Sequence, residues 1–244
     1  MATFILVHGG AHGGWCWEKL VPVLEARGHR ALAPDLAGMG EDRTPAAEVT
    51  MRRWGEDIAA LAREQAEPAV LVGHSRGGPV ISEAGELAPE AVLGLVYLTA
   101  VLLRDGMSAS DSFASVDPVL MQGTRPSEDG SSFLIERDTA DRAFYHRASR
   151  EDADEALDRL CPEPIAPNQQ PISVTEGRWG RLPRAYIECS DDRALRLATQ
   201  RQMQAALPCD PVITLDSDHS PFLHMPEAVA DALETIAADF ARRG

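Results

Sequence analysis

Short apolar runs that do not alternate with polar residues most constrain this chain. They lie at residues 4–7, 30–33, 70–72, 93–98, 185–189 and 212–215. Most are apolar throughout, the pattern of a strand buried on both faces rather than one with a wet side. Both faces of such a sheet must be covered, and the sequence between the runs supplies the covers. Met51, Trp54, Ile58 and Leu61 recur at spacings of three and four. They form one apolar helical stripe, with Thr50 placed to cap it. A last helix is predicted from Pro226, a residue suited to a first helical position, with Val229, Leu233, Ile236 and Phe240 on its buried side. Strands alternating with helices predict a doubly wound α/β fold with a mostly parallel sheet of about six strands.

The rhythm fails between residues 104 and 181, where no core strand is evident. Residues 104–132 are rich in Ser, Asp and Gly. Two short helices are predicted over 139–148 and 151–160, with Ser149 as a cap candidate, and Pro162, Pro164, Pro167 and Pro171 follow. A structureless loop of that length is unusual in a compact domain. The expectation is therefore a core of residues 1–103 and 182–244, with 104–181 inserted as a helical lid. The lid would cover the carboxyl ends of the strands, where open α/β sheets bind ligands.

The most informative short motif is Gly73-His74-Ser75-Arg76-Gly77-Gly78, directly after an apolar strand and before a helical segment. G-x-S-x-G in that setting predicts a nucleophile elbow: a sharp turn that exposes the serine hydroxyl, with glycines where side chains would collide. A phosphate cradle at a helix start is the competing reading. It is disfavoured because the Walker lysine is missing and no G-x-G-x-x-G follows the first strand. That first strand runs into His8-Gly9-Gly10-Ala11-His12-Gly13-Gly14, a loop whose backbone can approach a substrate oxygen. The amides of Gly10 and Arg76 are the expected oxyanion donors.

Of seven histidines, His219 follows the last strand, at the sheet edge that carries the elbow, and is the expected general base. His224 is the runner-up. His8 and His74 are expected to brace turns, His29 precedes a strand, and His146 lies in the insert. The orienting acid should fall between serine and histidine in sequence. Asp191 and Asp192 both follow the strand at 185–189, and spacing alone does not separate them. Asp216 and Asp218 sit too close to His219 and are expected to shape its turn. A base of this kind predicts activity that falls as pH drops through the histidine range.

The formal net charge of −15 disfavours nucleic acid and anionic membranes as partners. Cys16, Cys161, Cys189 and Cys209 form no C-x-x-C pair and no zinc spacing, so no metal site and no disulfide framework is expected. No run approaches the roughly 18 apolar residues of a membrane span. The amino terminus lacks the basic start and cleavage site of a signal peptide. The expected setting is cytoplasmic, with no cofactor. A homodimer is compatible with the pattern.

These residues resemble the hydroxynitrile lyase/methylesterase group of α/β-hydrolases, and within it the bacterial esterases of the pyrethroid hydrolase type. The resemblance runs nearly end to end. It takes in Val7–Gly10 with His12–Trp15, Pro34-Asp35-Leu36, the elbow, Tyr186–Cys189 with Asp192, Gln200–Met203 and Asp218–Pro221. It is weakest over the insert. It implies the α/β-hydrolase fold and a triad of Ser75, His219 and Asp192. It also implies a serine carboxylesterase acting on small, apolar or aromatic esters. The lyases of this group carry a lysine just after the triad histidine, where this chain has Ser220, and Lys19 is the only lysine present. They also carry Thr at the Gly9 position and Glu at the His74 position. The resemblance thus favours hydrolysis over the alternatives: a lyase or biosynthetic enzyme on the same scaffold, or a slow ligand sensor. Phe113, Met121, Phe133, Leu134, Phe144 and Trp179 are the insert residues expected to line a pocket or to form the insert's own core.

Overall fold

The six apolar runs pair side by side into one parallel sheet. The computed structural model describes residues 1–112, 120 and 122–243. Among these, the strands in chain order are β1 (Thr3–Val7), β2 (Arg30–Leu32), β3 (Ala69–His74), β4 (Val92–Leu98), β5 (Thr124–Pro126), β6 (Ser132–Ile135), β7 (Glu163–Pro164), β8 (Arg184–Cys189) and β9 (Val212–Leu215). The large sheet has the order β2-β1-β3-β4-β8-β9, with every pairing parallel.

Successive residues of each central strand enter different cores, which is why these strands read as continuously apolar. Phe4, Leu6, Val70, Val72, Val96 and Leu98 face one side. They pack with Trp17 and Leu24 and with Val229, Leu233, Ile236 and Phe240 of the helix Pro226–Arg243. Ile5, Val7, Leu71, Leu95 and Tyr97 face the other side, with Trp54 and Ile58 of the helix Met51–Arg63 and Val80 and Ile81 of the helix Gly77–Leu87. Each fully buried large aliphatic or aromatic side chain contributes about 1.5–3 kcal/mol of transfer free energy. The Thr50 hydroxyl accepts from the Arg53 amide and caps its helix as expected, although Leu61 is only half-buried.

The long connection between β4 and β8 departs from the helical insert that the sequence suggests. It holds the helices Arg137–Phe144 and Arg150–Asp158, the second capped by Ser149. It also holds a three-stranded antiparallel sheet, β5-β6-β7. No local pattern announces this sheet. Its strands are two to four residues long, too short to show an alternation, and two of them contain a proline. No helix among the described residues is long and apolar enough to cross a membrane.

Candidate active site

The elbow follows β3 directly. Ser75 adopts φ 52°, a left-handed conformation that a side-chain-bearing residue rarely takes. The turn is held because the Ser75 amide donates to Leu98 O and its carbonyl accepts from the amides of Gly78 and Val101. The two motif glycines are required by close approach. A Cβ on Gly73 would lie 2.6 Å from Gly77 O, and one on Gly77 would lie 2.7 Å from Val7 O. The helix Gly77–Leu87 can start against β1 and β3 only without those carbons.

His219 comes from the loop after β9 and is almost fully buried. Its Nε2 lies 2.9 Å from Ser75 Oγ and its Nδ1 lies 2.7 Å from Asp192 Oδ2. A carboxylate partner fixes Nδ1–H as the donor there and leaves Nε2 to accept from the serine hydroxyl. Asp192 is buried and has four donors. Oδ1 accepts from the amides of Ala194 and Leu195, both at 2.7 Å, and Oδ2 accepts from His219 and from the Thr99 hydroxyl. Asp191 points away: its carboxylate accepts from His146 Nε2 at 3.0 Å on the surface. The structure thus separates two aspartates that spacing left equivalent.

The remaining histidines have other partners. His224 sits near Ser217 and Asp218, not near Ser75. His8 accepts the Leu36 amide at Nε2, and burial pushes it down to about 3. His74 Nε2 donates to His219 O, and burial holds its ring well below the ordinary range, so it stays neutral. Both brace loops, as their positions suggest. Asp218 also shapes the histidine turn, accepting the Ser220 amide and, from the insert, the Arg147 amide. Asp216 instead forms a two-pronged ion pair with the Arg147 guanidinium.

Gly10 and Arg76 line the same cavity as Ser75 and His219, and neither amide has an acceptor among the described residues. The Gly10 loop is held by His12, whose Nδ1 donates to Gly10 O at 2.6 Å while its Nε2 accepts the Tyr145 hydroxyl at 2.6 Å. Burial pushes His12 down to about 4, and neutral imidazole is the form that can donate at one nitrogen and accept at the other. The Arg76 side chain is buried over the Trp54 ring and paired with Glu163.

The cavity measures about 330 Å³, and its walls are mainly apolar. Phe133 and Phe144 line it, two of the insert residues singled out in the sequence. Ile135, Ile165, Leu195 and Val101 also line it and were missed. Trp179 does not. It is buried in the core beneath the sheet, with its indole N–H donating to the Tyr97 hydroxyl. Leu134 of β6 is not among the lining residues. Phe113 and Met121 lie outside the described residues. The residue that sequence reasoning missed most clearly is Glu163, a cavity-lining carboxylate in a proline-rich stretch. An isolated glutamate there carries no spacing signal, and only contacts across the fold single it out.

The alpha/beta hydrolase family matches residues 4–232, and the chain belongs to it. It is 33% identical to a pyrethroid hydrolase of Sphingobium wenxiniae, over 99% of this chain and 88% of that one. It is 33% identical to Methylesterase 2 of Arabidopsis thaliana, over 97% and 96% of the two chains. A solved pyrethroid hydrolase from Sphingobium faniae matches with a TM-score of 0.87 at 32% identity, covering 97% of each chain.

Proposed function

We propose that this protein hydrolyses carboxylic esters of small, apolar or aromatic molecules through an acyl-enzyme on Ser75. The observation that carries the reading is the continuous chain of contacts from Ser75 Oγ through His219 to Asp192, opening onto an apolar cavity. In this reading His219 Nε2 takes the Ser75 proton as Oγ bonds to the ester carbonyl carbon. The amides of Gly10 and Arg76 hold the resulting oxyanion. The carbon–oxygen bond to the alcohol then breaks, and His219 gives its proton to the departing oxygen. Water, deprotonated by His219, attacks the acyl group and restores Ser75. Asp192 holds the imidazole in the working tautomer and offsets its transient positive charge.

Residues 104–181 act as the lid, supplying Phe133 and Phe144 as walls for the acyl or alcohol part of the ester. The kinship with enzymes named as methylesterases and pyrethroid hydrolases supports an ester substrate. Cyanide-releasing chemistry is disfavoured. Ser220 follows His219, and Lys19 is paired with Asp152 away from the cavity.

The test compares wild type with Ser75→Ala on methyl and aryl esters, with mass spectrometry of the acylated protein. An acyl adduct on Ser75 and loss of turnover in the variant are expected. Equal activity in both would remove the serine from the reaction.

A further inference from the structure

We propose that Glu163 is a positioning residue for the oxyanion donors, so that the insert completes the hydrolytic centre of the core. The inference rests on the ester-hydrolase reading of Ser75. The Glu163 side chain is 1% exposed and stands between the two segments that carry the donors. Its Oε2 accepts the Ala11 amide at 2.8 Å, and its Oε1 lies 2.5 Å from Arg76 Nε. That second contact is one of charge: the N–H does not point along a hydrogen-bond line at the oxygen. Asn168 Nδ2 donates to Oε1 at 2.9 Å and fixes the carboxylate from the insert's side.

The loop it holds needs holding. Ala11 has φ 59°, and such a residue persists only where its surroundings over-determine it. Both of its backbone groups are taken by the insert, the amide by Glu163 and the carbonyl by the Cys161 amide. Arg76 Nη2 donates to Gly9 O at 3.2 Å, and His12 holds Gly10 O. The Gly10 amide is thereby aimed from both sides of the residue.

Charge explains why an acid and a base are used together. A bare carboxylate beside Gly10 would oppose the negative charge that develops on the substrate oxygen. The Arg76 guanidinium neutralises it. Glu163 in turn offsets the cost of burying Arg76, since desolvation pulls that guanidinium down and the carboxylate opposes the shift. Neither side chain touches the reacting atoms. They act through the backbone they hold.

The experiment measures kcat and KM on an aryl ester for wild type, Glu163→Gln, Arg76→Met, the double variant, Asn168→Ala and Ser75→Ala. Affinity is measured in parallel for a trifluoromethyl ketone, which forms an oxyanion on serine, and for the uncharged methyl ketone of the same shape. Losing a single oxyanion donor costs about 100- to 1000-fold, so misplacing one is expected to cost about 10- to 100-fold in kcat. For Glu163→Gln that loss is expected with KM little changed. The trifluoromethyl ketone should weaken by the same factor and the methyl ketone should not. Arg76→Met should lose more activity than the double variant, because it alone leaves an unpaired carboxylate beside the donors. Wild-type kcat in Glu163→Gln, or equal weakening of both ketones, would overturn the proposal. If Glu163→Gln does not fold, Asn168→Ala decides: a several-fold loss of kcat at constant KM supports the role, and no loss overturns it. Ser75→Ala separates the role of the serine from that of Glu163. If it still turns over, the serine reading fails. If it is inactive while Glu163→Gln is unaffected, only the positioning role fails.

Discussion

Ser75, Asp192 and His219 all hang from the ends of parallel strands, whereas Glu163, Tyr145 and Arg147 reach the same site from the connection between β4 and β8. The two groups are held by different forces. The strand-end residues inherit their places from backbone hydrogen bonds and from side chains buried on both sheet faces. The insert also packs Phe144, Leu157 and Trp179 into the two apolar cores, but its groups that reach the site are held there by polar contacts: Glu163 to Ala11, Tyr145 to His12, and Arg147 to Asp216 and Asp218. A sheet edge fixes relative position with little dependence on any one side chain. A polar tether depends on every partner, since a buried group left alone costs about 1–3 kcal/mol. The core should therefore fail at chemistry when its reacting groups change, and the insert should fail at alignment and selectivity.

The largest effect tests the core. Ser75→Ala and His219→Ala should each lower kcat by at least about 10⁴-fold, and the pair should cost little more than either alone, because the two act as one unit. Independent, multiplying losses would break the idea of a single reacting set. Next, Asp192→Asn should lower kcat by about 10⁴-fold through the wrong imidazole tautomer, while Asp191→Asn stays near wild type. Comparable losses at both positions would dissolve the distinction drawn from their partners.

For the insert the expected effects are smaller. Phe133→Ala should shift the preference among ester chain lengths by about 10-fold, with kcat on the best substrate changed little. Trp179→Phe, which lies off the cavity, should leave that preference alone. A matching shift from Trp179 would mean that the insert shapes the pocket as one body rather than through its lining.

The smallest effect concerns the seam between the two regions, where His12 meets Tyr145. His8 and His12 are pushed from 6.5 to about 3 and about 4, and His74 is also held low, each mainly by burial. A lowered histidine is neutral in the fold but takes up a proton when unfolded. Its contribution is complete above pH 6.5 and is lost as pH falls from there through about 4. Urea midpoints should therefore decline steadily over that window and be level above it. A midpoint unchanged down to pH 4 would contradict the neutral, buried histidines.

The legibility of this protein follows the same division. The six strands, the caps at Thr50 and Ser149 and the final helix were readable because each is a local pattern of period, cap or apolar run. Ser75 was readable because a tight turn demands glycines at fixed offsets, and His219 because it follows the last strand. The short antiparallel sheet of the insert, the buried place of Trp179 and the isoleucines of the cavity wall were not readable. Strands of two to four residues carry no period, and an apolar side chain looks the same whether it lines a pocket or fills a core.

By itself the sequence determined the parallel sheet, its two helical covers and the position of the elbow, because these follow from apolar periodicity and from the steric demands of one turn. Only the tertiary structure decided that Asp192 rather than Asp191 meets His219, and that Glu163 joins Ala11 to Arg76. Neighbouring aspartates have the same chemistry in sequence and differ only in the direction a strand end turns them. Residues 11, 76 and 163 become neighbours only when the chain closes on itself, so no local pattern can announce them.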